Sequence, residues 1–339
     1  MLSRRATNLQ TEPRGLEWPT LIVFVVTYVL WAVATTVLWP ISSGLAVLVA
    51  ALAIAQFSSL THEVLHGHPF QQQILSETLV FPALTLFIPY LRFKDSHLQH
   101  HYDPALTDPY DDPESNYADP AVWARLSAPV KAILRFNNTL FGRMLVGPAI
   151  SIWVMTVSDI RHLRRGDRRV MLAWALHLPG LALVLLWLGL VGTMPLWAYL
   201  VAAYLAFSLL KIRTYLEHRA HEAARARSVV IESRGPLALL FLNNNFHVVH
   251  HMHPGVAWYK LPALYFSNRE HYLRRNDSYL FRSYVEIFRK YLFHAKDPVP
   301  HPVWPVRKGG AQGSDDPAEL RGGTGIVEER HAGLVTARH

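Results

Sequence analysis

The run Thr20–Trp39 carries no charged side chain and is bracketed by Trp18, Pro19 and Pro40. About twenty such residues cross the ~30 Å hydrocarbon core of a bilayer as a helix. In lipid every backbone polar group must be satisfied internally, so helix is the form open to such a segment. A Ser-Ser-Gly turn at 42–44 follows, and Leu45–Leu60 returns to the starting side. A second pair, Met171–Leu190 and Met194–Leu210, is joined by the short uncharged turn Val191–Pro195. The composition agrees: 51% of residues are hydrophobic and 17% charged, against about 25% charged in an ordinary soluble domain. The expected fold is therefore an all-α integral membrane protein with four transmembrane helices.

The remaining segments are assigned around those spans. Residues 1–18 form a polar N-terminal segment without a secretory signal, since the first apolar run is too long and lacks a small-residue cleavage site. Residues 78–91 are apolar but short, interrupted by Pro82 and Pro89, and read as a re-entrant or interfacial hairpin. Residues 103–120 repeat Asp-Pro and read as turns of a surface loop. Residues 130–158 are expected to lie on the surface as amphipathic helix, ending in Arg161, Arg164, Arg165, Arg168 and Arg169. Between 278 and 294 the apolar positions Leu280, Phe281, Tyr284, Val285, Phe288, Tyr291 and Leu292 are spaced as one helix face, a cap over the site or the membrane. The membrane domain is then 19–295 with a cytosolic helical cap, and 296–339, rich in Gly, Pro and charge towards its end, is expected to be a disordered tail. Neither candidate outside turn carries Lys or Arg, whereas the N-terminus and the segments 161–169 and 211–227 carry many. The positive-inside rule puts both termini in the cytoplasm. The net charge of +8 flanks apolar runs, forms no basic domain, and gives no reason to expect nucleic acid.

Three histidine clusters sit at the ends of these spans: His62 and His66; His97, His100 and His101; His247, His250 and His251. Residues i, i+3 and i+4 share a helix face, so each cluster can aim its imidazoles one way. With 19 histidines in 339 residues, about 0.06 copies of His-x-x-His-His are expected by chance; two are present. His218, at the end of the fourth span, stands at the same depth. The chain has no cysteine, which removes thiolate zinc sites, iron–sulfur clusters and haem-thiolate. Eight or nine imidazoles exceed the roughly four ligands of a single zinc site and fit two ions at four or five ligands each. Imidazole suits iron, copper, nickel and zinc, and two redox-capable ions beside a lipid-facing cavity suit O₂ activation; iron is the expected metal.

Other readings stay in view. His62-Glu63-Val64-Leu65-His66 is also the His-Glu-x-x-His pattern of zinc metalloproteases, with Glu63 as base, but it leaves the other two clusters unexplained. A metal transporter would put ionisable groups near mid-bilayer rather than at span ends. His253-Pro254-Gly255 lacks what a cytochrome b5 haem loop needs around it. His68, Met252 and His253 are expected to pack or support ligands, and His177 to be a hydrogen-bonded core residue. Asp103, Glu63 and Glu217 are candidates to hold ligand imidazoles through their second nitrogen.

The three clusters resemble the histidine boxes of the membrane fatty acid desaturase and hydroxylase superfamily, and Thr214-Tyr215-Leu216-Glu217-His218 resembles the segment that carries its additional ligand. The resemblance covers roughly residues 20–290. It implies a di-iron centre held by His62, His66, His97, His100, His101, His218, His247, His250 and His251, with O₂ as co-substrate. It also implies an acyl or lipid-like substrate and a separate electron donor of the ferredoxin, rubredoxin or cytochrome b5 type. The reaction expected is desaturation of an unactivated C–C bond, with hydroxylation as the alternative, in the inner membrane of a bacterium with the metal site facing the cytoplasm. Residues 107–115, Thr-Asp-Pro-Tyr-Asp-Asp-Pro-Glu-Ser, further resemble bacterial members grouped with rhizopine-catabolism oxygenases.

Overall fold

The computed structural model describes residues 15–304. Five helices in it are long and apolar enough to cross a membrane: α1 (Trp18–Ile41), α2 (Ser43–Leu65), α7 (Leu140–Arg164), α8 (Arg168–Leu190) and α9 (Leu196–Thr214). Short helices fill the intervals: α3 (Gln73–Thr78), α4 (Tyr90–His100), α5 (Pro120–Arg125) and α6 (Ala128–Asn137). After α9 come α10 (Pro236–Leu240), α11 (His247–Met252), α12 (Leu261–Ser267), α13 (Arg269–Arg275) and α14 (Tyr284–Tyr291). Two short parallel strands, β1 (Val230–Ile231) and β2 (Leu280–Phe281), pair in the register Val230 to Leu280.

The core is built where α2 meets α9. Ala46, Ala50, Ala53 and Ala55 of α2 and Ala198, Ala202, Ala203 and Ala206 of α9 are buried. Small side chains let two apolar helices approach closely, which is how helices gain contact where lipid removes the hydrophobic drive. α1 turns most of Ile22, Val25, Val26, Val29 and Val37 outward, as a lipid-facing helix would. Its last turns widen into a π segment, Ala34–Leu38, where the hydroxyls of Thr35 and Thr36 bond back to Trp31 and Ala32 carbonyls. The Thr35 carbonyl then accepts from the amides of Thr193 (2.9 Å) and Met194 (3.1 Å). Both short uncharged turns therefore meet at one end of the bundle, and the histidines gather at the other.

The segment 79–89 wedges between α8 and α9 without regular structure, in keeping with a hairpin at 78–91. Its backbone is satisfied by the helices around it: Tyr199 donates to Leu84 O (2.8 Å), His177 Nε2 donates to Leu86 O (2.8 Å), and Ala83 N donates to Gly180 O (3.2 Å). His177 is thus the hydrogen-bonded core residue expected. Gly180 is required there, because a Cβ would stand 2.2 Å from Phe81 O.

Three assignments change. The stretch 130–158 is not one surface helix but parts of α6 and α7, broken at Thr139, whose hydroxyl caps α7 by accepting from Gly142 N (3.0 Å). α7 joins the four expected spans as a fifth candidate by length and hydropathy, its apolar content outweighing Pro148 and the terminal arginines. The stretch 278–294 is not a single helix: Leu280–Phe281 are taken by strand pairing, and Ser283 caps a shorter α14. Residues 296–304, assigned to a tail, pack against the loop before α5: Tyr117 donates to Asp297, and Ala118 N donates to Val299 O (2.9 Å). The rest of the tail, 305–339, and residues 1–14 lie outside the described residues.

Candidate metal centre

Each histidine is carried to the site by a local feature of its segment. α2 ends at Leu65, with His62 in its last turn, His66 at its C-cap and Gly67 in the left-handed conformation that stops helices (φ 91°). α4 starts after Pro89 and presents His97, His100 and His101 at its C-terminus. His218 follows α9 in a strand-like turn, paired across to Ser228. Val229 N donates to Glu217 O and Val229 O accepts from Val248 N, both at 3.0 Å, which ties that turn to α11. The run Asn243-Asn244-Asn245 sets the start of α11. Leu242 and Asn243 have positive φ (49° and 55°), a conformation Asn tolerates better than most. Asn245 Nδ2 donates to the carbonyls of Ile231 and Ser233, and Asn244 Oδ1 accepts from His247 Nδ1 (3.1 Å).

All nine expected histidines converge, in two groups. Nitrogens of His62, His66, His97, His101 and His250 lie within 4.8 Å of one another, and so do those of His100, His218, His247 and His251. The groups touch where the rings of His101 and His251 stack, centroids 4.3 Å apart. Each His-x-x-His-His box splits. The i, i+4 pair of α4, His97 and His101, joins the five-membered group while His100 joins the other; the i, i+4 pair of α11, His247 and His251, joins the four-membered group while His250 crosses over. Aiming all three imidazoles at one point, as a shared helix face suggests, is therefore too simple: the boxes bridge two centres.

The inward nitrogens fit cations. Nε2 atoms face one another at 2.9 Å (His100–His218), 3.0 Å (His97–His101 and His218–His247) and 3.1 Å (His101–His250). His62 Nε2 is buried with no hydrogen-bond partner. Burial first, then neighbouring imidazoles, hold the pKa values of His218, His247 and His250 well below the ordinary value. His101 is lowered for the same reasons. Neutral imidazole is the ligating form. At His100 burial also disfavours charge, but Glu114 and Asp112 outweigh it and raise the pKa to about 9. An ion bound there takes the place of that proton, as metal binding to protonated ligands does.

The outward nitrogens are held by a shell that orients the rings. His100 Nδ1 donates to Asp112 (2.7 Å), His97 Nδ1 to Glu114 (2.9 Å), and Ser228 Oγ lies 3.3 Å from His218 Nδ1. Glu217 Oε1 lies 3.8 Å from His247 Nδ1, accepts from Asn244 Nδ2 (3.1 Å) and pairs with Arg213 (3.1 Å). Glu63 Oε1 is 3.6 Å from His62 Nδ1, and its Oε2 accepts from Trp258 N (3.2 Å). Glu63 therefore sits on the outer side of its ligand, not where a protease base faces a metal-bound water. Glu63 and Glu217 were foreseeable as neighbours of ligands; the side chain of Asp103 lies outside the described residues. Asp112, Glu114, Asn244 and Ser228 were missed. The repeated Asp-Pro signal reads as turns, and turns they are: Asp108 accepts from Tyr110 N and Asp111 N, and Asp119 caps α5. Asp112 does both tasks, accepting from Thr107 N (2.8 Å) while it holds His100. His68 is buried against Glu17 at 2.6 Å, and His253 packs near Tyr272.

The family profile described as "Fatty acid desaturase" matches residues 37–283, which takes in all nine histidines. The chain belongs to the fatty acid desaturase family. It is therefore an oxidoreductase of the membrane desaturase and hydroxylase type, and an integral membrane protein. This family is typically di-iron, and the two imidazole groups can hold one ion each. No curated protein matches the chain.

Proposed function

We propose that the protein is an O₂-dependent di-iron desaturase acting on an unactivated C–C bond of a fatty-acyl or lipid-like chain. The observation that carries this reading is the pairing of five-imidazole and four-imidazole groups, in ring contact with each other, beside an apolar cavity. The cavity measures about 290 Å³ and is bounded by Phe57, Thr61, Phe81, Phe93, Leu176 and Phe207, among others. Thr61 precedes His62, and the Phe93 ring lies 5.7 Å from that of His97. Bound iron would supply O₂ activation and removal of hydrogen from the chain. The protein's part is to hold the imidazoles in place and aimed, through Asp112, Glu114, Glu217 and Asn244, and to keep the reacting chain in an apolar, water-poor slot. Electrons come from a separate ferredoxin, rubredoxin or cytochrome b5 type protein.

Four spans, not five, fit the contacts best, with the site and both termini on the cytoplasmic face of a bacterial inner membrane. Both ends of α7 are tied to the end of the bundle that bears the histidines. At its start Tyr215 donates to Asn138 O (2.8 Å) and Phe141 N to Leu292 O (2.9 Å); near its finish Arg92 of α4 pairs with Asp159 (2.8 Å). A helix anchored at both ends to one face lies along it. Because the chain has no cysteine, single cysteines report sidedness. In inside-out vesicles a membrane-impermeant maleimide is expected to label Ser127→Cys and Arg165→Cys alike, and Gly44→Cys not at all. Labelling of only one of the first two would make α7 a span.

Mass spectrometry of lipids from expressing cells supplied with a donor protein tests the reaction. A new double bond is the expected result. A new hydroxyl would identify a hydroxylase, and purified protein with one zinc per chain and no O₂ consumption would overturn the proposal.

A further inference from the structure

One end of the apolar cavity is polar. Ile74, Glu77 and Thr78 share a face of α3 and line it. Three donors converge on a single oxygen of Glu77, Oε1: Lys94 Nζ at 2.7 Å, Gln73 Nε2 at 3.0 Å and Tyr90 OH at 3.1 Å. Among the described residues no protein donor reaches Oε2. Gln73 Nε2 also donates to the carbonyl of Val64 (3.0 Å), between His62 and His66, so this end of the cavity is fastened at the level of the five-histidine group. Ser58, one turn before His62 on α2, and Thr85 line the same cavity, and their hydroxyls likewise make no hydrogen bond to described residues. The mouth is lateral: Ile74, Phe81 and Leu176 are exposed to 68%, 42% and 46%, and α8, which carries Leu176, is one of the long apolar helices.

An apolar slot that keeps a carboxylate at its edge selects by head group. The charge of Lys94 is already met by Glu77, so an anionic head arriving there would find a carboxylate oxygen, not a free cation. A head that donates a hydrogen bond would find an unused acceptor on the half-buried Glu77, and a polar group of a site that one head pairs and another leaves unpaired discriminates between them. We propose that the cavity takes an amphiphile whose head group is a hydrogen-bond donor, an alcohol or an amine, received by Glu77 Oε2, with the chain lying against Phe57, Phe93 and Phe207. This rests on reading the cavity as the substrate site.

The test compares three probes of equal chain length, 1-dodecanol, dodecylamine and dodecanoate. Binding to the full-length protein in lipid nanodiscs is measured by titration calorimetry, with empty nanodiscs giving the partition background. The wild type is expected to bind the alcohol or the amine about tenfold tighter than dodecanoate, the size of one hydrogen bond to a charged acceptor. Glu77→Gln, checked for unchanged metal content, is expected to bring the preference below about threefold. Tyr90→Phe removes a donor to Oε1 but leaves Oε2 free, and should keep the preference. Equal or tighter binding of dodecanoate by the wild type, or an undiminished preference in Glu77→Gln, overturns the proposal. Binding of none of the three removes the cavity as substrate site as well. A donor-head preference in a protein that yields no oxidised product would uphold this inference while the desaturase reading fails.

Discussion

His218→Ala is expected to abolish turnover and to lower bound metal from about two ions per chain to about one, because a site left with three imidazoles loses the coordination of a closed four-ligand site. His218 is the only member of the four-histidine group outside a His-x-x-His-His box, and its Nε2 lies 2.9 Å from that of His100 and 3.0 Å from that of His247. Removing it opens the middle of the group. Losing one of five ligands on the other side, as in His250→Ala, should leave more metal in place, since four imidazoles remain. The measurement is elemental analysis of purified protein alongside product formation. His177→Ala is the control: it removes a buried imidazole that bonds Leu86 O and belongs to neither group, and it should retain both ions. A His218→Ala protein with full metal and turnover would show that this residue is not a ligand.

The second large effect is expected at a residue that touches no metal. Asp112→Ala should weaken metal binding or activity by about 10- to 100-fold, the usual cost of losing an outer partner of a ligating histidine. Asp112 holds His100 Nδ1 at 2.7 Å and at the same time accepts from Thr107 N and Glu114 N at 2.8 and 2.9 Å. Its loss frees the ring of His100 and loosens the loop that delivers Glu114 to His97. Asp112→Asn keeps a side-chain oxygen for the loop amides or for His100 and should fall between alanine and the wild type. Competition with a chelator reads the affinity, and turnover reads the consequence. If Asp112→Ala matches the wild type in both, the carboxylate serves the loop alone.

Much of the architecture is legible because membrane helices and histidine ligands obey rules that act locally in sequence. Thr20–Trp39 has to be a helix wherever lipid surrounds it, since its peptide groups have no other partner. The boxes at 97–101 and 247–251 stand out because imidazoles at i, i+3 and i+4 are rare by chance and share a face. α7 is less legible: Pro148, its two end arginines and its apolar middle suit a span and a surface helix alike, and only the contacts of Asn138, Phe141 and Asp159 bear on which it is. Likewise Leu280–Phe281 fit a helical period as well as a strand, and their pairing with Val230–Ile231, some fifty residues away, decides.

Sequence alone determined that this chain builds membrane helices and which nine histidines come together in two groups that could each hold a metal ion. Those properties follow from the chemistry of single segments, so spacing along the chain suffices to read them. Only the tertiary structure decided how the nine divide into five and four, that each box reaches across to both groups, and that Asp112, Glu114 and Asn244 hold the rings. The division depends on where segments more than a hundred residues apart meet, as His100 meets His218 and His101 meets His250, and the direction of an imidazole is set by whichever acceptor the folded loop places behind its second nitrogen.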